Sequence, residues 1–463
     1  MKKTFFVLLL AGCTTVGPDY KRPEMPLPEQ FPRKGSEEGA SVASDWWTLY
    51  SDATLNELVA SARSNNADLR VAAAQVQEAE AVMSQARAAL FPEVSGQFTR
   101  TRSRVGTLTA PAPVATAPLE RNDARLVAST SFELDFWGRF SRADEAARAN
   151  LLGSQIAREV VGLTIGGVTA QTYFGLRSLD AQMVALDNTI RLRRESLDIA
   201  QARASAGLAS ELDVHQAQGA LSDALVQRRE AGRQRALLER QLAQLSGRLD
   251  LKVSSGDLFA LPVPPTPPAG LPSSLLERRP DIRAAEQQLI AANANIGAAR
   301  AAFFPRISLT ANFGTASTEL SGLFKSGSWA FTGSAQLLQP IFDAGRNRAN
   351  LEVAEATRAI AVAQYEKAIQ DAFREVADAL AGRATFGEQV RALAAQTNAL
   401  AITYRLADLR YRAGASSYLE ALDAQRQLFL SQQALVQSRG LQLQNAVTLY
   451  RALGGGWTEP PPP

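Results

Sequence analysis

The chain has 463 residues, 46% of them hydrophobic, with 49 Lys and Arg against 46 Asp and Glu and a net charge of +3. The apolar content suffices for a sizeable core, while the near balance of charge argues against a nucleic-acid face, which needs clustered basic residues. One cysteine, one histidine and four methionines exclude an internal disulfide and leave no thiol, imidazole or thioether cluster for catalysis or metal relay.

Lys2 and Lys3, the apolar run Phe5 to Leu10 and the small pair Ala11 and Gly12 have the layout of a secretory signal over residues 1–12. Leu10-Ala11-Gly12-Cys13 resembles the bacterial lipobox, in which Cys13 becomes the first residue and carries the lipid; the bland reading is an unused thiol. Thr14 stands where an aspartate usually retains lipoproteins at the inner membrane, so this resemblance points to the outer membrane. Residues 13–50, with prolines from Pro18 to Pro32, are expected to form a lipid-anchored, extended arm. Past the signal no run of about eighteen apolar residues occurs. Any membrane crossing must therefore use strands.

The body of the chain is duplicated. SQARAALFP ends at Pro92 and GAARAAFFP at Pro305, an offset of 213 (305 − 92). ASAGLASELDVHQAQ and YRAGASSYLEALDAQ align Gly207 with Gly414, an offset of 207 (414 − 207), as do the Gly-Arg pairs at Gly138 and Gly345. The six-residue change predicts an exposed loop between each proline and its Gly-Arg. The repeats span residues 51–249 and 273–456, with a Pro-rich linker at 250–272, expected to run as a polyproline-like surface connector from Leu261 to Pro272, and a tail at 457–463.

Each repeat offers two alternating segments, at about 93–101 and 126–136 and again at about 306–315 and 329–338. Ile307, Leu309, Ala311 and Phe313 share one face against Arg306, Ser308, Thr310 and Asn312. A soluble sheet with one wet face gives the same alternation, but the lengths suit transmembrane strands of roughly ten residues. Four strands fall short of the roughly eight of the smallest closed barrel, and an open edge in lipid is costly. The fold class is therefore mainly α with a membrane β-barrel, shared between copies of the chain.

Elsewhere the proline-free stretches Leu119–Leu261 and Ile341–Glu459 read as very long helices. Leu422, Phe429, Val436, Leu443 and Tyr450 recur every seven residues, with Leu428, Leu435 and Leu449 beside them, which implies supercoiled neighbours. Gly207 and Gly414 are placed to stop helices at tip turns, with Ser210 and Ser416 capping the helices that follow. His215 reads as a solvated residue near the first tip, and no nucleophile elbow, Walker loop, HExxH or paired CxxC is present. At the second tip Leu419 and Asp423 share a helix face, with Glu420 three residues before Asp423.

The duplicated helix–strand–strand–helix units, the opening CTTVGPDYKRP, the ARAALFP and ARAAFFP junctions and the LDAQ tip resemble the outer-membrane factors of tripartite efflux systems, TolC-like channels and in particular the NodT-type lipoproteins. The resemblance implies a homotrimer with a twelve-stranded barrel in the outer membrane, a helical barrel across the periplasm, a periplasmic adaptor, and an inner-membrane pump of the resistance-nodulation-division class. It implies no enzyme activity and no cofactor beyond the lipid on Cys13. It also assigns Tyr411, Leu419, Glu420 and Asp423 to a periplasmic gate, although Ala415 and Ser416 stand where some relatives place a gate arginine. The alternatives are a type I secretion channel of the same architecture and a periplasmic coiled-coil scaffold.

Overall fold

The computed structural model describes residues 15–26, 44–104, 106, 120–266 and 275–457. The signal peptide, Cys13, part of the arm, the Pro-rich end of the linker and most of the tail lie outside the described residues.

A 3₁₀ turn at Trp46–Tyr50 leads into α1 (Ala53–Asn65) and α2 (Ala67–Ala88), strands β1 (Glu93–Arg104) and β2 (Glu120–Leu134), and helices α3 (Arg139–Ser205) and α4 (Glu211–Ser246). The second repeat follows as α5 (Leu275–Arg278), α6 (Pro280–Ala301), β3 (Arg306–Ser317), β4 (Trp329–Leu338), α7 (Arg346–Arg412) and α8 (Tyr418–Ala452). Helix starts follow local chemistry. Asp52 accepts from the Leu55 amide at 3.0 Å, Asn66 accepts from the Asp68 amide at 2.8 Å, and Pro280 opens α6 where its missing N–H costs nothing. Helices α3 and α7 are both 67 residues, about 100 Å at the usual rise. Among the described residues no helix is long and apolar enough to cross a membrane.

The strands form one antiparallel sheet in the order β1-β2-β3-β4, leaving β1 and β4 as open edges. Its register stacks Ile307, Leu134 and Leu337 in one row and Phe98, Leu126, Thr315 and Trp329 in another, on the same face. Polar residues such as Gln97, Ser129, Asn312 and Thr332 take the opposite face, where the Ser129 hydroxyl donates to Asn312 Oδ1 at 2.7 Å.

The second strand differs from the expected 126–136. Its charged start pairs fully with β1, Glu120 opposite Arg104 and Asn122 opposite Arg102, so backbone bonds extend the ladder where apolar alternation has already ended. At its other end Asp135 leaves the ladder to accept from the Phe140 and Ser141 amides at the start of α3, at 3.0 and 2.8 Å. The extra residues of the first repeat thus do not all lie in a loop, because β2 has 15 residues against 10 in β4.

The main core lies midway along α3, against the C-terminal ends of α4 and α8. Trp46, Tyr50, Leu55 and Val59 pack against Tyr173, Phe174 and Leu176 of α3, Leu242 of α4, and Leu443, Val447 and Tyr450 of α8. The heptad positions Phe429, Val436, Leu443 and Tyr450 are buried, as the seven-residue stripe requires. Ahead of its proline run the linker is held in this core, where Leu251, Val253, Leu258 and Leu261 are buried. Its carbonyls at Val253 and Ser254 accept from Arg235 and Arg177, and Asp180 pairs with both arginines, at 2.6 and 3.0 Å, on a buried carboxylate. Apolar residues ahead of the prolines anchor it, and Arg177 and Arg235 satisfy its irregular backbone.

The described arm, residues 15–26, runs over α3 and α6. The Val16 amide donates to the Trp137 carbonyl at 3.0 Å and Asn293 donates to the Pro18 carbonyl at 2.8 Å. Between them Gly17 lies against Gly297, where a Cβ on either would meet backbone, and the Gly17 φ of +117° admits no ordinary side chain. Further along, Tyr20 and Arg22 donate to Glu286 at 3.0 and 2.7 Å, and Arg283 pairs with the same carboxylate.

Candidate functional site: the helix tips

The chain reverses direction at two helical hairpins, α3–α4 and α7–α8. Gly207 and Gly414 take the left-handed conformation, with φ of +72° and +77°, that lets a helix end within one turn. The following caps differ. Ser210 accepts from the Leu212 amide at 3.1 Å, whereas the N-cap of α8 is Ser417, without a side-chain cap bond. The expected cap Ser416 is one residue out of register with Ser210; its hydroxyl is buried without a partner.

The hairpins are joined by one apolar seam. Tyr411 and Tyr418 lie side by side, ring centroids 5.5 Å apart, buried among Ile190, Leu197, Ala200 and Ala217 of the first hairpin. Burial pushes the Tyr418 phenol up to about 12, with Tyr411 adding to the effect, so it stays neutral under any physiological condition.

Arg203, four residues before Gly207, crosses the seam. Its guanidinium donates to the Tyr411 carbonyl at 2.8 Å and sits over the Tyr411 ring, 5.0 Å from the centroid. Arg412 forms a second crossing, 2.7 Å from Asp408 on its own helix and 3.6 Å from Glu195 on α3; the Asp408 hydrogen bond is the main cause that raises the Arg412 pKa.

The four gate candidates thus separate. Tyr411 belongs to the buried seam, whereas Leu419 is 61% exposed and Glu420 is also exposed. Asp423 is half-buried, accepting from Arg426 at 2.8 Å and from Gln427 at 2.6 Å, and Glu420 lies 3.7 Å from Arg410. The acidic pair therefore carries its own basic partners, which the spacing of the acids alone does not reveal. His215 is exposed near the first tip. Among the described residues no group of three His, Cys, Asp or Glu is placed to hold a metal ion. Sequence reasoning missed Arg203, Arg412 and Tyr418. The available signal was the repeat alignment, which sets Arg203 against Arg410 and so places a cation before each tip glycine.

Both repeats match the family model described as "Outer membrane efflux protein", over residues 58–248 and 271–455. The chain is 41% identical over 471 residues to the solvent efflux pump outer membrane protein SrpC of Pseudomonas putida, covering 98% of this chain and 97% of the relative. It is 38% identical over 470 residues to the cation efflux system protein CusC of Escherichia coli O6:H1, with 98% and 97% covered. Among solved structures, the open state of the Neisseria gonorrhoeae MtrE outer membrane channel superposes with a TM-score of 0.86 at 31% identity, over 96% of this chain and 99% of that one.

Proposed function

The chain belongs to the outer membrane efflux protein family, and we propose that it is the outer-membrane exit duct of a tripartite efflux pump. It lies in the outer membrane. Three copies share a twelve-stranded barrel, and their α3–α4 and α7–α8 hairpins continue it as a helical tunnel into the periplasm. The observation that carries this reading is the four-stranded sheet, apolar on one face and open at both β1 and β4, set above two hairpins of about 100 Å. Open edges in lipid leave backbone groups unpaired, so the sheet closes only by continuing into other copies.

The duct is passive. Its tips meet a periplasmic adaptor, and an inner-membrane pump of the resistance-nodulation-division class supplies the energy. Glu420, Asp423 and Leu419 narrow the tunnel at its periplasmic mouth, where three-fold repetition makes each residue a ring; Tyr411 holds the hairpins behind them. The cargo is drugs, solvents or other small toxic compounds. Cys13 carries the lipid: Thr15 lies against Gly138 at the membrane end of α3, so a lipid two residues earlier has little chain to cross before reaching the bilayer.

Deleting the chromosomal copy and restoring it on a plasmid tests the function. Restored cells should regain resistance to dyes and hydrophobic drugs, and the purified protein should form discrete ion-conducting pores in planar bilayers. Restoration without conductance, or conductance without any change in susceptibility, contradicts an efflux duct.

A further inference from the structure

The apolar face of the sheet ends abruptly in arginine. Along β1 one face reads Val94, Gly96, Phe98, Arg100, Arg102 and Arg104, all in continuous register with β2. The apolar rows from Ile307 to the level of Phe98 cover about 27 Å along the strands, or about 20 Å along the membrane normal after the usual tilt, which fills most of the hydrocarbon band. Arg100 is the next residue on that face, and so stands at the boundary. The Arg104–Glu120 pair closes the β1–β2 ladder at the end remote from the helices, so this boundary faces the outside.

These side chains are exposed; Arg100 is level with Ser317, where β3 ends, and Arg102 and Arg104 lie beyond the ends of both β3 and β4. Arg102 is steadied by Glu120 at 2.6 Å. Arg100 and Arg104 have no acidic partner among the described residues. On this face the acid nearest to them in the ladder, Glu120, is already paired. An outward column of guanidinium groups just above lipid-facing Phe98 and Trp329 matches phosphate in a headgroup layer, where planar bidentate donors are favoured.

We propose that Arg100, Arg102 and Arg104 form a binding site for the phosphates of the phosphorylated glycolipid of the outer leaflet, clasping it against the barrel wall. This rests on the membrane-barrel reading above. Three copies of the site, one per β1–β2 ribbon, would seat an ordered lipid collar around the duct.

The test uses the full-length trimer in detergent, with purified diphosphoryl lipid A as the probe and thermal melting and native mass spectrometry as readouts. Lipid A should bind and raise the melting temperature, fully dephosphorylated lipid A should do neither, and Arg100→Gln with Arg104→Gln should weaken binding roughly thirtyfold. Glu120→Gln frees Arg102 and should tighten binding, which keeps the test decisive if the double variant assembles poorly. Equal binding of the dephosphorylated lipid, or an unaltered double variant, overturns the proposal. A stabilisation reproduced by inorganic phosphate alone assigns the arginines to free anions and overturns it as well. In nanodiscs, quenching by brominated lipid that disappears in Trp329→Phe confirms that this face meets acyl chains; its absence sinks the barrel reading itself, separately from the headgroup site.

Discussion

Arg203 of the first hairpin donates to the main-chain carbonyl of Tyr411 in the second, at 2.8 Å, and lays its guanidinium over the Tyr411 ring. The bond joins residues 208 apart in sequence, and it gives the Tyr411 carbonyl, which already accepts from the Gly414 amide at 2.9 Å in the tip turn, a second donor from the other hairpin. Relative movement of the hairpins must break it.

Arg203→Ala should therefore loosen the tips without touching the barrel. A charge-assisted bond of this kind is worth about 1.5–3 kcal/mol when buried, and less at a half-exposed tip. Hydrogen–deuterium exchange should rise across residues 411–418 by roughly tenfold, corresponding to about 1.4 kcal/mol, while strand protection is unchanged. Unaltered tip exchange would mean that the tyrosine seam alone holds the hairpins.

Glu420→Ala with Asp423→Ala should raise resting conductance and weaken cation preference, because it removes the acids while leaving Arg410 and Arg426 without those partners. Restoring neutrality with Arg410→Ala and Arg426→Ala in the same background should return selectivity part of the way. A correctly assembled double variant with the parent's conductance and selectivity would place the constriction elsewhere.

Acid should release the arm. Burial opposes the charge on Glu286, but the Arg22 hydrogen bond and the Arg22 and Arg283 charges outweigh it, so the carboxyl sits below its ordinary range. A depressed carboxylate stabilises docking above its free value of about 4.3 and loses that contribution as pH falls through the folded value. Proteolysis near Lys21 and Arg22 should then accelerate below about pH 4. Glu286→Gln should show the faster cleavage at pH 7 and no further acid step; an acid step that persists in that variant would point to another group.

No strand-paired monomer should be stable, since β1 and β4 leave their outer backbone groups without partners. Light scattering of folded protein should give a trimer. A proline at Phe331, on the edge strand β4, should reduce trimer yield severely by removing a backbone donor and clashing locally, whereas Phe331→Leu should not. A monomer with intact strand content would refute the shared barrel.

The periodic elements were legible in the sequence because burial on one face imposes a period. Val94, Phe98 and Phe313 announce strands, and Phe429 to Tyr450 announce a packed helix. What periodicity misses is structure held by backbone pairing or by distant side chains. Glu120 to Arg125 reads as a charged loop and is strand, held by its ladder to β1. Leu251 to Leu261 has no period at all, yet lies in the core because Arg177 and Arg235 satisfy its carbonyls from helices far along the chain. At the tips Asp423 and its partner Arg426 are three residues apart on one helix and legible from spacing, whereas Arg410 and Glu420 meet only across the turn.

The equal length of α3 and α7, 67 residues each, has a consequence for how such a conduit varies in evolution. One inserted residue in either helix would turn everything beyond it by about 100° and advance it by about 1.5 Å. The seam residues beyond it would then turn away from their partners, and the two tips would no longer end at one level. Length is thus inherited as a matched pair of rulers. Insertions survive where nothing downstream has to stay in phase, as between Pro92 and Gly138, where the first repeat exceeds the second by six residues.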